Sequence, residues 1–275
     1  MSCRADVLPI LLVVFLPLTC VITYVMAVVL GHVDPEFPYI SDTGTVPPES
    51  CVFGILLGLY AFICAFAIYI RYCQVAAYCF ERRGLVRANK AALVLGLTSS
   101  FGIFLVANVQ ETNQIVVHLC GAVLSFAGIG VYFWFQTALS YMVKTIPGYC
   151  GCVRHFRLVL TLIHLCCCIA TLVCGAVATS ELKDHDARKH RFHWHSQDGG
   201  FLWHVASASL EWVVAFISVV YFLSFIREFG RFRFTFPQVI FTNMAQLNGT
   251  DNDSLMISTI NKITKTEPNP TAECI

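Results

Sequence analysis

The residues best placed for chemistry in this chain are ionisable groups set in apolar surroundings. Glu211 lies inside the apolar stretch 204–226. Ionisable side chains at membrane depth are rare, and they face a bundle interior or a water-filled cavity. A helix starting near His204 and rising 1.5 Å per residue puts Glu211 about ten ångströms below the membrane surface. His204, Ser207 and Glu211 follow i, i+3, i+7 and so share one helix face. Asn108, Glu111 and His118 fall at the same level at the end of the third apolar stretch and the start of the fourth. The spacing therefore predicts a buried polar cluster toward the non-cytosolic side. Two uses stay open for it: a proton or ligand site, or a set of interhelical hydrogen bonds worth ~1 kcal/mol each.

Asp42-Thr43-Gly44-Thr45 spells the tetrapeptide of aspartic proteases. That chemistry needs two carboxylates sharing a proton, and the chain has one copy in a loop between two apolar stretches. Turn formation explains it better. Asp and Gly make turns, and Pro35, Pro38, Pro47 and Pro48 restrict φ. The expectation is a stiff, acidic surface loop rather than a catalytic centre. His185, His190, His193 and His195 crowd a later loop; histidine titrates near 6.5, so a pH response is one reading and zinc binding another, beside a plain solvated loop.

These groups are carried by six long apolar runs, at 7–30, 50–70, 91–110, 115–143, 158–180 and 204–226. About 20 apolar residues cross the hydrocarbon core as a helix. Only helices or closed barrels satisfy the backbone there, and nothing alternates with period two. The expected fold is all-α: a polytopic six-helix bundle over 1–230, followed by a mostly disordered tail over 231–275. Hydrophobic residues make up 57% and charged residues 13%, the latter about half the ~25% usual in soluble domains.

The loops set the orientation. Loop 31–50 carries Asp34, Glu36, Asp42 and Glu49 and no base, whereas 71–90 holds Arg71, Arg82, Arg83, Arg87 and Lys90. Lys144, Arg154 and Arg157 are assigned to the connection between the fourth and fifth spans. With both termini in the cytosol, only Lys183, Arg188, Lys189 and Arg191 of the 18 Lys and Arg fall outside it, as the positive-inside rule requires. The first run is too long for a secretory h-region of ~7–15 residues and reads as a signal anchor.

The 14 cysteines form no disulfide framework, since most lie in spans or on the cytosolic side. Cys73, Cys79, Cys150 and Cys152 are candidates for S-palmitoylation. Gly54 and Gly58 make a GxxxG pair, read as contact with another span of the same chain in preference to homo-oligomerisation. The tail holds sequons at Asn248 and Asn252, which stay unmodified if it is cytosolic. It also holds Asp251 through Leu255-Met256, a loose acidic dileucine-type sorting signal. No cofactor, metal site or nucleic-acid partner is indicated; the one certain partner is the lipid bilayer.

Two stretches, Gly31-His32-Val33-Asp34-Pro35 and Pro38-Tyr39-Ile40-Ser41-Asp42-Thr43-Gly44-Thr45-Val46-Pro47-Pro48-Glu49, closely resemble the DRAM (damage-regulated autophagy modulator) family. So do Val106-Ala107-Asn108-Val109-Gln110-Glu111 and the run from His204 through Glu211-Trp212 to Arg227. The likeness covers nearly all of 7–230 and stops before the tail. It implies a six-span lysosomal or other endomembrane protein, not an enzyme, that promotes autophagy with unknown protein partners and, in some members, apoptosis. The Ser-Asp-Thr-Gly-Thr form looks like the lysosomal branch. Two other classes remain. One is a plasma-membrane scaffold for phosphoinositide-kinase complexes, suggested by the basic 82–90 segment. The other is a small-solute or proton transporter using the Glu211/His204 face.

Overall fold

The computed structural model describes residues 2–79, 82–182 and 192–235. Six helices are long and apolar enough to cross a membrane. They are α1 (Val7–Val29), α2 (Glu49–Cys79), α3 (Arg83–Asn108), α4 (Ile115–Met142), α5 (Gly151–Glu181) and α6 (Phe201–Leu223). A short helix, α7 (Ile226–Phe229), follows α6. Each helix packs on the next, and α1 closes the series against α6, giving a ring. Short connections make successive helices antiparallel neighbours.

Small residues bring the helices close where lipid offers no hydrophobic drive for association. A Cβ on Gly102 would lie 2.7 Å from Ser125 N, and one on Gly121 would lie 3.1 Å from Gly102 O, so α3 and α4 meet backbone to backbone. Inside the ring the packing is aromatic. Phe133 stacks on Tyr221 at 3.9 Å between centroids, and Phe222 continues the layer against Tyr132 at 6.1 Å. The strands β1 (Ser2–Arg4) and β2 (Arg233–Thr235) pair, and Ala5 N–H donates to Phe232 O at 3.2 Å. The start of α1 and the end of α6 are thereby tied at one end of the ring. Loops 31–50 and 109–114 and the described residues 192–200 gather at the other.

Three helix ends lie well outside the apolar runs. α2 continues nine residues past Ile70 to Cys79, α3 starts at Arg83 rather than 91, and α5 at Gly151 rather than 158. Hydropathy marks the hydrocarbon, whereas a helix continues as long as its backbone bonds do. A 31-residue helix is about 46 Å long, against a core of about 30 Å. Arg71, Arg83, Arg87, Lys90, Arg154 and Arg157, assigned to loops from sequence, therefore ride on helices, and Arg71 and Arg157 are fully buried. The histidines 185 and 190, the sequons and the tail from 236 onward lie outside the described residues.

Candidate functional site

At the loop end, α6 starts on Gly200, whose φ of +83° suits glycine. A Cβ there would lie 2.5 Å from Ala178 O, so the start of α6 is seated on the last turns of α5. That placement brings His204 under Trp194, whose ring stacks on it at 4.3 Å and 10°. Tyr39 meets the same imidazole edge-on at 5.1 Å. One turn on, Ser207 Oγ donates to Thr171 O at 2.8 Å, joining α6 to α5. Glu211 Oε2 then accepts the Ile40 backbone N–H at 3.0 Å, and the Trp212 indole N–H donates to Pro38 O at 2.9 Å. The i, i+3, i+7 face is therefore real, and its main partner is loop 31–50.

That loop is not the solvated surface expected from its composition. Pro38, Ile40, Asp42, Thr43, Gly44, Thr45 and Glu49 are buried, while Glu36, Phe37, Pro47 and Pro48 stay exposed. Asp42–Gly44 coil into a turn of 3-10 helix. Thr43 Oγ1 donates to Ile40 O at 2.7 Å and lies 3.0 Å from Thr23 Oγ1 of α1. Gly44 backs onto the Phe53 ring, where any side chain would collide. Glu49, in the first turn of α2, pairs with His32, and a carboxylate there also suits the positive end of the helix. Acidic residues usually read as surface, but here Asp34 and Glu49 pair with histidines, and Thr43 and Thr45 donate to backbone carbonyls, which lowers the cost of burial. Burial also pushes the Tyr39 phenol up to about 12, against the pull of its hydrogen bond to Ser207.

The predicted cluster is only partly assembled. His118, buried on α4, uses Nδ1 on Val109 O at 2.7 Å and so caps the end of α3. His118 and Glu211 both line a cavity of about 90 Å³, shared with Ser41, Ser125 and Ser218. It has room for several waters. Glu111 is buried at the α3–α4 connection. Asn108 is not a member: it is exposed, and its amide donates to Phe104 O of its own helix at 2.8 Å.

A second polar centre, missed from sequence, closes the terminal end. Glu228 of α7 bridges Arg71 of α2 and Arg157 of α5; the Arg157 Nη1–Glu228 Oε1 contact is 2.9 Å. Arg71 Nε also donates to Gln136 Oε1 at 3.1 Å. Arg157 donates to Ser224 Oγ, Ser140 Oγ and Ser224 O at 2.9, 2.8 and 3.0 Å. Both guanidiniums lie over the Phe225 ring, with the Arg71 and Arg157 guanidinium carbons 4.5 and 4.1 Å from its centroid. Such stacking on a desolvated cation is worth about 2 kcal/mol. The signal available beforehand was helical spacing: Arg157, Thr161 and His164 fall on one buried face of α5.

The remaining candidates separate. Cys73 and Cys152 are exposed and Cys150 is half-buried, but Cys79 is buried in a small cluster with Val75 and Leu139, so acylation there is sterically closed. The backbone N–H groups of Cys152 and Val153 hold the Cys150 thiol below its ordinary value, with Arg227 adding to the effect. A Cβ on Gly54 would lie 3.2 Å from Ala107 O, so this glycine faces α3, whereas one on Gly58 would meet nothing within 4 Å. His193 pairs with Asp34 at 3.2 Å, linking the two large loops. Leu255 and Met256 lie outside the described residues.

Residues 4–232 match the model of the Frag1/DRAM/Sfk1/Cwh43P N-terminal domain. Among curated proteins, the chain is 41% identical over 196 residues to DNA damage-regulated autophagy modulator protein 2 of Bos taurus, covering 71% of this chain and 73% of that one. It is 37% identical over 191 residues to DNA damage-regulated autophagy modulator protein 1 of Homo sapiens, covering 68% and 79%. To the modulator of macroautophagy TMEM150B-B of Xenopus laevis it is 40% identical over 174 residues, covering 62% and 71%. No solved structure matches the chain.

Proposed function

Because the chain belongs to the Frag1/DRAM/Sfk1/Cwh43P family, we propose that it is a multi-pass lysosomal membrane protein that promotes autophagy without catalysing a reaction. The observation that carries this reading is that relatives named as autophagy modulators match it over most of their length. The geometry supports a non-enzymatic role. Glu211, Ser207 and His118 each bond a backbone group, so their polar atoms are used to hold the loop and helices. Both termini face the cytosol in this reading, and loop 31–50, seated on α6, is the part turned toward the lumen.

The test is turnover of autophagosome markers in null and expressing cells, with and without a block of lysosomal acidification, beside imaging of an internally tagged chain. Higher lysosome-dependent turnover with lysosomal tag signal is expected. Equal turnover with the tag at the plasma membrane would favour the kinase-scaffold class instead. The cavity shared by Glu211 and His118 supports a second reading, passage of a proton or small solute. Full activity in Glu211→Gln would remove that support.

A further inference from the structure

The terminal end of the ring opens into a groove of about 830 Å³, lined by Arg4, Arg227, Arg231, Arg233, Tyr149 and Cys150. All four arginines are exposed. Among the described residues the groove holds one carboxylate, Asp6, which Arg4 already grips from two nitrogens, Nε at 3.2 Å and Nη2 at 2.6 Å. Glu228, the nearest acid on α7, is buried and committed to Arg71 and Arg157. Four guanidinium groups against one carboxylate give the described lining a net charge of +3. Planar forks of N–H donors in this number match phosphate oxygens.

The position selects the ligand's source. Arg4 stands three residues before α1, Cys150 immediately precedes α5, and Arg227 lies in α7 just beyond α6. α5 has 31 residues, about 46 Å, which spans the hydrocarbon and reaches into the headgroup layers. The groove thus lies level with lipid headgroups, with Ile226 and Tyr149 beside the arginines as non-ionic walls. The walls are tied together: Gly148, at φ +85°, approaches Arg227 O so closely that a Cβ there would lie 2.5 Å away. A singly charged lipid would leave most of the positive field uncompensated.

We propose that this groove binds the headgroup of a membrane lipid carrying more than one phosphate. The lining residues named all lie within 4–233, and the proposal does not depend on the autophagy reading. Basic residues near an anionic surface contribute about fivefold each.

The test uses the full chain in neutral detergent, titrated with three short-chain probes: dioctanoyl phosphatidylinositol bisphosphate, dioctanoyl phosphatidylserine and free inositol trisphosphate. The bisphosphate lipid should bind, and bind more tightly than either of the others. The triple substitution Arg227→Gln, Arg231→Gln, Arg233→Gln should weaken it about 100-fold, from the fivefold loss per arginine. If the triple variant does not fold, Arg231→Gln alone should show the fivefold loss. Equal binding of the free headgroup would overturn the membrane source, and equal binding of the serine lipid would overturn the site. Unchanged affinity in a folded triple variant would also overturn it.

Discussion

Replacing Glu228 by alanine should be the most destabilising single substitution at the terminal end. The change strands Arg71 and Arg157, both about 1% exposed, with no anion between them. Removing one partner of a buried pair costs about 3–5 kcal/mol, most of it the penalty of the charge left behind. Removing Arg71 instead leaves Glu228 on Arg157 at 2.9 Å, a balanced pair, so Arg71→Met should cost much less. Arg157→Met should fall between the two. It keeps the Arg71–Glu228 pair but leaves Ser224 and Ser140 without their donor. The order Glu228→Ala, then Arg157→Met, then Arg71→Met is thus set first by whether a charge is left unpaired and then by the acceptors that lose their donor. Thermal unfolding of the detergent-solubilised chain can be followed with a thiol-reactive dye reporting exposure of the buried Cys20 and Cys64. At roughly 2–4 °C per kcal/mol, Glu228→Ala should lower the midpoint by roughly 6–20 °C. A Glu228→Ala midpoint within 2 °C of wild type, or an Arg71→Met variant weaker than Glu228→Ala, would refute the account of two arginines bridged by one carboxylate.

Glu211→Leu should lose about 1–3 kcal/mol, because it strands the Ile40 N–H, while Glu211→Gln keeps an acceptor and should preserve abundance; quantitative immunoblotting of both variants checks this. Gly200→Ala should destabilise the chain, since it forces a left-handed φ and meets Ala178 O, and pulse-chase turnover would show it. Cys150 should react with maleimide faster than Cys79. Its thiol is held below the ordinary value, so its thiolate persists further down the pH scale than a free cysteine's, while Cys79 is enclosed; mass-spectrometric footprinting across pH distinguishes them. Terminal tags should be digested by protease added to sealed, cytosol-side-out vesicles, and glycans on Asn248 or Asn252 of the native protein would contradict that orientation.

Much of the architecture was readable in the residues alone. Transfer to lipid is a property of each side chain, so six apolar runs foretell six helices, and 3.6-residue periodicity placed His204, Ser207 and Glu211 on one face. The partner of that face was not readable. Acidic, hydroxyl and proline residues in 31–50 have the composition of a solvated loop, and only the closed ring, with α1 against α6, provides the seat in which Thr43 meets Thr23 and Ile40 meets Glu211. Asn108 shares the membrane level of the cluster, but rotation about its helix axis turns it outward, and level alone carries no azimuth. The triad shows the limit most plainly. Arg71, Arg157 and Glu228 belong to three helices far apart in the chain, and each by itself has the signature of a charged residue at a span's edge. Whether such a charge faces water or a counter-ion is decided by which helices become neighbours, and that is set by the packing of the whole ring.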